Sequence, residues 1–508
     1  MLHRRQFIVS RKAHALRPDW VTRDIGGLVL SHCPDLPVRR VPGAGKTVWH
    51  LLGLPVQTDP TRPDPAEALA ELGAELGAES GAGAIADLCR SWAGRWLLLN
   101  NRAVHLDTGG TLGCFYGMVD GGLTLASSAG VMAELLGEEA VFRRPLAHEA
   151  GLDWYPLPGS GLKGVRRLLP TQRLDPARPM GDEGFLTVRR PLPPVPPGFS
   201  DSQAYERMES ILVTAIRNLH RAVSGPEGGN RPLMLQLTAG YDTRLLLAAA
   251  RKADVPFATF TFDHRDLTPG DRKLPPRLAR LAGVEHHLIP CPPPDAQRAR
   301  DYAAHTGGHT AAMDGEFYAN GAWDGVPEGA VVLHGGVFEV ARCFYWDQIP
   351  PGLAPDAEDT AARLFDAFRG KLYNPPSHCE SLRDWLGWVA RTPDVLPGGS
   401  MDLRDRFYLE QRVAGWLSAI DQGVDLTGRQ LFQVGNCADF LAIALAMPVD
   451  VRRSSRHHAE LIRRMAPDLL SEPINPPQPA VLRQLRKLPR RLNKLRTAIG
   501  HHLAGTSA

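Results

Sequence analysis

The sequence has few cysteines, almost no surplus charge and no long hydrophobic run. Its 7 cysteines are scattered over 508 residues, with no Cys-x-x-Cys pair and no spacing typical of metal ligands. This pattern argues against a cysteine-based metal site and against a disulfide framework. We expect buried free thiols, a state that suits a reducing cytoplasm.

Charge is nearly balanced, because 58 Lys and Arg face 55 Asp and Glu, a formal net charge of +3. Such a small surplus excludes nucleic-acid binding through bulk charge, and we expect no nucleic-acid partner. The N-terminal stretch Met1 to Trp20 has only Phe7 to Val9 as an apolar run. This run is far too short for a signal peptide or a membrane span. We therefore expect a cytoplasmic protein without a transmembrane segment.

The length favours two domains, because 508 residues exceed the usual size of one hydrophobic core. The proline-rich residues 191–200 are expected to form an extended linker between them, since proline removes amide donors and fixes φ. Before the linker, strand-like runs at 95–100, 103–106 and 123–126 are separated by turn residues and follow a helical segment at 61–90. This order predicts an antiparallel sheet with helices.

The sequence after the linker has a different texture. Apolar residues recur at helical spacing from Tyr205 to Leu219, and short apolar strands follow at 233–237 and 257–262 with a helix-forming run between them. This strand, helix, strand order predicts a parallel α/β unit with its ligand site at the carboxyl ends of the strands. A third strand is expected at 330–333 and a further helix around 409–420.

The turn after the first of these strands carries the main functional signal. It reads Leu237-Thr238-Ala239-Gly240-Tyr241-Asp242-Thr243. Small residues let backbone N–H groups approach an anion, two hydroxyls add donors, and the next helix presents its positive N-terminus. Asp242 would suit a Mg²⁺ bridging two phosphates. The other interpretation is an ordinary strand-to-helix loop with Asp242 as a helix cap.

This turn resembles the Ser-Gly-Gly-x-Asp-Ser pyrophosphate loop of the asparagine synthetase superfamily, which includes β-lactam synthetases and lasso-peptide cyclases. Further segments resemble the same family in the same order along the chain. They are 164–170, Asp271 with 278–279 and 283–287 as the acidic residue and helix after the second strand, 333–339 as an acidic loop, 407–412, and 448–452. The resemblance extends over roughly residues 90 to 475.

The resemblance implies an α/β fold class with two domains. Residues 1–190 would form a vestigial glutaminase-like domain, antiparallel α+β and similar to N-terminal nucleophile hydrolases. Residues 201–480 would form a parallel-sheet PP-loop ATP pyrophosphatase domain, similar to adenine nucleotide α-hydrolases, with a helical C-terminal part. Residues 481–508 form a basic amphipathic tail, for which a peripheral helix or a docking segment are the two interpretations.

The resemblance also implies the ligands, ATP and Mg²⁺. Asp242 and Glu339 would hold the metal, and Arg342 or Lys487 would stabilise charge in the reaction. The residues expected to bind the nucleotide are Leu237, Thr238, Ala239, Gly240, Tyr241, Asp242, Thr243, Phe262, Asp271 and Gly335.

The implied activity is ATP-dependent amide-bond formation through an adenylated carboxylate. Residue 2 is Leu2, where glutamine-dependent relatives have a nucleophilic cysteine, so we expect no glutaminase activity. A peptide macrolactam or lasso-peptide cyclase and a non-catalytic nucleotide-binding paralogue are the alternatives. The expected substrate is a small-molecule or peptide carboxylate. A peptide precursor or carrier and a homodimer stay open as partners.

Three histidine doublets occur, at 286–287, 457–458 and 501–502. Adjacent side chains diverge on a helix or a strand, so a shared metal is disfavoured. We expect polar or core roles for these histidines.

Overall fold

The computed structural model describes residues 2–43, 47–75, 82–141, 154–195, 201–226, 228–264, 267–310, 318, 320–367, 376–395 and 401–477. Part of the expected linker, residues 196–200, lies outside the described residues. The basic tail 481–508, with Lys487, lies outside them as well.

The first half of the chain contains two six-stranded sheets in which the described strands pair antiparallel. One has the order β10-β8-β9-β1-β3-β2 and the other β12-β11-β7-β6-β5-β4. The strands are β1 (Phe7–Ser10), β2 (Val21–Asp24), β3 (Val29–His32), β4 (Val38–Pro42), β5 (Val48–Gln57), β6 (Trp92–Leu99), β7 (Val104–Leu106), β8 (Phe115–Val119), β9 (Gly122–Ala126), β10 (Arg166–Arg167), β11 (Gln172–Leu174) and β12 (Leu186–Val188).

The two sheets pack face to face. One hydrophobic cluster joins Phe7 and Leu30 of the first sheet to Leu52 and Leu97 of the second. Helices α1 (Pro65–Glu75) and α2 (Ala82–Cys89) cover the outer face of the second sheet, and α3 (Ala129–Leu136) covers that of the first. The expected antiparallel, mixed α and β character of this half is confirmed.

The second half is built on a parallel sheet of five strands in the order β15-β14-β13-β16-β17. These are β13 (Leu233–Gln236), β14 (Ala258–Asp263), β15 (His286–Pro290), β16 (Val331–His334) and β17 (Gln430–Gln433). The chain runs from β13 outward to β15 and then returns to place β16 on the other side of β13. The pair β13 and β16 is therefore a switch point, where a crevice opens at the carboxyl ends of the strands.

Helices surround this sheet. They are α4 (Asp201–Ser224), α5 (Tyr241–Ala253), α6 (Pro269–Ala282), α7 (Ala296–Thr306), α8 (Thr360–Ala367), α9 (Pro376–Arg391), α10 (Leu403–Phe407), a π-helix (Tyr408–Leu417), α11 (Ser418–Asp425), α12 (Ala438–Ala446), α13 (Val449–Arg453) and α14 (Arg456–Met465). A short 3₁₀ segment, Phe338–Arg342, follows β16. Within the described part of the chain, every helix falls short of the length and apolar character needed to cross a bilayer.

The predicted βαβ unit and third strand are confirmed as β13, α5, β14 and β16, whereas two further strands were missed. The helix expected to include residues 283–287 was wrong at that end. Helix α6 stops at Ala282, because Gly283 adopts the left-handed conformation at φ 72°. Residues 286–290 form the edge strand β15, whose largely exposed positions include one buried residue, Ile289, and give no apolar alternation to reveal it.

Buried charges connect the two halves. Arg95 of β6 is 2% exposed and donates to both carboxylate oxygens of Asp425 in α11, at 3.2 and 3.1 Å. Asp421, one turn earlier in α11, lies 3.6 Å from Arg95 Nε, beyond hydrogen-bond distance. Burial raises the pKa of Asp421 to about 8, so its carboxyl group carries a proton near neutral pH. Arg95 is thus paired with one charged carboxylate of the other half.

Replacing Arg95 with methionine is expected to lower the free energy of unfolding by about 3 kcal/mol, because the buried Asp425 loses its bidentate partner and keeps only the longer contact with Arg5, at 3.3 Å. Thermal and denaturant unfolding measure this change. The matched control is Arg102→Met, since Arg102 is 63% exposed and 3.4 Å from Asp175, and such surface pairs contribute less than about 1 kcal/mol. Equal effects of the two substitutions would contradict this interpretation.

Candidate nucleotide site

The candidate site lies at the switch point of the parallel sheet. The loop 237–240 leaves β13 and leads into α5, and residues 335–337 leave β16 and lead into the 3₁₀ segment. The two loops touch, because a Cβ added to Gly335 would lie 3.2 Å from Cβ of Asp242. Fold topology therefore brings together Gly335 and Asp242, which the sequence predicted to act at one site.

The threonine-containing turn, residues 237–243, is closed by its own hydroxyl groups. Thr243 Oγ1 accepts a hydrogen bond from the Thr238 N–H at 3.0 Å and lies 2.9 Å from Thr238 Oγ1. The Gly240 N–H donates to Thr238 Oγ1 at 3.2 Å. The sequence predicted that backbone N–H groups of this turn converge on an anion, but those of Thr238 and Gly240 are engaged within the protein. The hydroxyls can turn, and Gly240 starts α5 without a capping side chain, so the helix N-terminus still offers donors.

Asp271 supports this loop from helix α6. Its Oδ1 accepts the Ala239 N–H at 2.9 Å, and its other oxygen accepts the Thr268 hydroxyl at 2.7 Å. Thr268 in turn caps α6 by accepting the Asp271 N–H at 2.9 Å, as in a capping box. Asp271 thus contacts the loop, and its bonds place it as a support for Ala239. Its role toward a nucleotide stays a prediction.

Alanine fits at position 239, where the resemblance leads one to expect glycine. Ala239 is 2% exposed and does not have a positive φ, and Gly240 begins the helix at φ −79°. Neither position requires the left-handed region that favours glycine. The alanine is therefore compatible with the loop. Leu237 is fully buried before it.

Asp242 lies at the centre of a cluster of polar side chains. Arg342 Nη1 donates to its Oδ2 at 2.8 Å, and Arg342 also lies over the ring of Tyr241, 5.8 Å from the centroid. On the other side, Nε2 of the fully buried His458 is 3.1 Å from Asp242 Oδ1, outside good hydrogen-bond alignment. Ser455 accepts a hydrogen bond from Arg342 Nε at 3.0 Å. Three elements, α5, the 3₁₀ segment and α14, therefore converge on one carboxylate.

Two effects oppose each other at Asp242. Burial favours the protonated form, but His458 and Arg342 outweigh it and lower the pKa of this carboxyl group below its usual value. Burial lowers the pKa of His458 in spite of the neighbouring carboxylate, so the imidazole is neutral at pH 7. The cluster thus holds a charged Asp242, a cationic Arg342 and a neutral histidine.

Glu339, the second predicted metal ligand, has a different environment. It accepts a hydrogen bond from the hydroxyl of Tyr408 in the π-helix. Burial raises the pKa of Glu339, and the charge of Asp242 adds to the rise, although Tyr408 and Arg342 act against it. The charge of Asp242 therefore acts on Glu339.

These residues fit a Mg²⁺ ion that is shared with phosphates. The described residues contain no group of three or more His, Cys, Asp and Glu side chains able to hold a metal by themselves. Mg²⁺ in nucleotide sites commonly takes one or two carboxylates and completes its shell with phosphate oxygens and water. Asp242 and Glu339 supply such a pair, although Arg342 now holds one oxygen of Asp242. The metal role of both residues stays a prediction.

Two other predicted residues are placed differently. Phe262 is 2% exposed and packs against Trp323 with ring centroids 5.0 Å apart. Its ring belongs to a hydrophobic cluster, which leaves its backbone as the part able to meet a nucleotide. Lys487 lies outside the described residues, whereas Arg342, the other predicted charge-stabilising residue, lies within the cluster.

Sequence reasoning missed His458 and Tyr408 as members of the site. The doublet His457 and His458 was expected to have polar or core roles, and both rings are indeed fully buried. His458 nevertheless faces Asp242. The sequence offered one signal, the pair of histidines in an amphipathic helix. Nothing in the sequence indicated that this helix, α14, would pack against α5.

Comparison with known proteins gives slight similarities. No protein family matches the sequence, and no curated protein matches it. Among solved structures, the chain is similar to glutamine-dependent NAD+ synthetase from Acinetobacter baumannii in complex with ADP, at 16% identity and a TM-score of 0.21 over 36% of this chain and 32% of that one. The chain thus matches only about a third of the synthetase's length.

A second similar structure is glutamine phosphoribosylpyrophosphate amidotransferase from B. subtilis complexed with ADP and GMP. Identity is 10% and the TM-score 0.19, over 67% of this chain and 71% of that one. Because both TM-scores are low, the proposed function is argued from the residues of this chain and not from these two structures.

Glu339→Gln is expected to be neutral or stabilising at pH 7.5, whereas Glu410→Gln should lower the free energy of unfolding by about 3 kcal/mol. The pKa of Glu339 is raised in the folded state, so its ionisation lowers the free energy of unfolding as the pH rises above 4.5. Glutamine avoids that loss and can still accept the Tyr408 hydroxyl. Glu410 instead pairs with Arg406, which is 1% exposed, at 3.1 Å. Denaturant unfolding at several pH values measures both, and equal losses would contradict the assignment.

Proposed function

We propose that this chain is an ATP-dependent ligase that forms an amide bond by adenylating a substrate carboxylate. The observation that carries the proposal is the convergence of the threonine-containing turn and the acidic loop at the switch point. The turn carries the hydroxyls of Thr238 and Thr243 and leads into the N-terminus of α5 with Asp242. Gly335 and Arg342, which follow β16, lie next to Asp242. Helix N-termini with small and hydroxyl residues favour phosphate.

The proposed reaction has two steps. A carboxylate oxygen of the substrate attacks the α-phosphorus of ATP, the bond to the β-phosphate oxygen breaks, and pyrophosphate leaves. An amine then attacks the acyl carbon and loses a proton, and AMP departs. The side chains of this chain would position the phosphates and stabilise charge as it develops, with Arg342 supplying a cation near Asp242.

Mg²⁺ bound by Asp242 and Glu339 would supply positive charge to the phosphate oxygens. Arg342 would have to release one oxygen of Asp242 to allow this, since it now lies 2.8 Å away. A released arginine is then available for a phosphate or for the acyl-adenylate, which suits the charge role proposed from the sequence.

The amine of the second step would come from the substrate itself or from a second substrate. An intramolecular amine would give a macrolactam, as in a peptide cyclase. This narrower activity is a special case of the same ligase chemistry.

A second candidate function is nucleotide binding without catalysis. It is favoured by the internal hydrogen bonds of Thr238 and Gly240 and by the ion pair between Arg342 and Asp242. In such a protein, these contacts would persist after the nucleotide binds. Binding and pyrophosphate release therefore have to be measured separately.

Asp242→Asn is expected to reduce pyrophosphate release from ATP at least 100-fold, because the carboxylate that would share the metal is lost. Pyrophosphate is measured with a panel of carboxylates that carry an amine, in the presence of Mg²⁺. The control is Asp254→Asn, at the exposed C-terminal end of the same helix, which should leave release unchanged. Nucleotide binding without release in the wild-type chain would support the non-catalytic alternative, and no binding would contradict both.

A further inference from the structure

A cavity of about 470 Å³ lies where the two halves of the chain meet. One wall is the segment 56–65, which ends β5 and begins α1. The other wall is a single face of α4 that carries Thr214, Arg217, Asn218 and Arg221. We call this space the junction cavity. The described residues that line it are distinct from those of the candidate nucleotide site.

Hydrogen bonds hold both walls of the junction cavity in place. Asn218 Nδ2 donates to the Gln57 carbonyl at 2.8 Å and so joins one wall to the other. Gln57 is itself buried, at 2% exposure. The guanidinium of Arg217 donates to the carbonyls of Ala253 and Lys252 at 3.0 and 3.1 Å. The shape of the cavity is therefore set by the protein itself, which lowers the entropy cost of binding a ligand.

The two carboxylates of the junction cavity are already neutralised. Asp59 accepts the Thr61 hydroxyl at 2.7 Å and pairs with Arg207 at 3.1 Å. Asp64 pairs with Arg39 at 2.5 Å. Neither of these two arginines is among the residues that line the cavity. The acidic side chains thus leave the positive charge of the cavity uncompensated.

That positive charge comes from Arg62 on one wall and from Arg217 and Arg221 on the other. Within the described part of the chain, none of the three pairs with a carboxylate. Arg221 donates to Asn218 Oδ1 at 3.0 Å, and Arg217 donates to backbone carbonyls. Arg62 is half-buried and has no hydrogen-bond partner among the described residues. Both walls therefore present cations to one space, where they attract an anion.

We propose that the junction cavity binds a small organic molecule that carries carboxylate or phosphate groups on an apolar body. Arg62 and Arg221 bind the anionic groups, because a guanidinium matches the oxygens of carboxylate and phosphate in pairs. Val56, Pro60 and Ala222 offer apolar contact. The volume suits a small-molecule site, and such sites are frequent where domains meet. The inference is independent of the proposed ligase activity.

A ligand in this position regulates how the two halves hold together. It touches both walls, so it binds only while the halves are in contact and stabilises that contact by mass action. Arginines that are merely solvated predict something different. They attract every anion weakly through charge alone, so an apolar body adds nothing to the affinity.

The test is titration calorimetry of the full chain at constant ionic strength with three probes, phthalate, phenyl phosphate and inorganic phosphate. At least one organic probe should bind with a Kd of about 1 mM or below, about 10-fold more tightly than inorganic phosphate. The tighter of the two organic probes identifies the anionic group as carboxylate or phosphate.

Arg62→Met and Arg221→Met should each weaken the binding of that probe about 10-fold, because charged hydrogen bonds are lost. Arg62→Lys keeps the charge and should recover part of the affinity. The matched control is Arg102→Met, which removes the same charge from a residue that is 63% exposed and lies outside the cavity. This control should bind like the wild-type chain.

Hydrogen–deuterium exchange with the same probe should show protection in both 56–65 and 214–222, since the ligand touches both walls. The inference is overturned if neither organic probe binds, or if inorganic phosphate binds as tightly as they do. Wild-type affinity in both Arg62→Met and Arg221→Met would place the probe elsewhere and overturn it as well. None of these results bears on nucleotide binding, which is measured separately.

Discussion

The switch point between β13 and β16 is the constraint on which the site depends. Because the chain places β14 and β15 on one side of β13 and returns to the other side for β16, two loops leave the sheet edge next to each other. One loop brings hydroxyls and a helix N-terminus, and the other brings Gly335 and Glu339. Glycine at 335 lets the two segments approach closely, since a Cβ there would lie 3.1 Å from Phe338 and 3.2 Å from Asp242. Nucleotide chemistry is proposed here because these groups suit phosphates, and such crevices are where open α/β sheets bind ligands.

The first half of the chain contributes more than a neighbouring surface. Arg95 enters the other half to pair with Asp425, and the protonated Asp421 beside it accepts a hydrogen bond from Gln433 at 2.9 Å. Gln433 lies 3.1 Å from Nδ1 of His334, the last residue of β16. Neighbouring polar groups therefore lie between a strand of the antiparallel sheet and the start of the acidic loop, with a 3.6 Å gap between Arg95 and Asp421.

The local pattern predicted the centre of the site, and tertiary packing decided the remainder. The apolar run at 233–237, the small turn and the following helix were sufficient to place Asp242 at a strand end, and the glycines after β16 were sufficient to place Glu339 nearby. His458 and Tyr408 could not be found in this way, since each lies on an element distant in sequence from the residue that it contacts. The edge strand β15 was missed for a related reason, because its histidines and exposed positions give no apolar period. Periodicity reports burial within one element and says little about which elements meet.

Hydrogen–deuterium exchange with and without Mg²⁺ and a non-hydrolysable ATP analogue tests the central claim most directly, because it reports on both loops at once. The account predicts slower exchange in 237–243 and in 335–342 together, with Mg²⁺ required for the full effect, since both loops contribute to one phosphate site. Protection that is absent from both loops, or confined to one of them, would contradict a nucleotide site shared between β13 and β16.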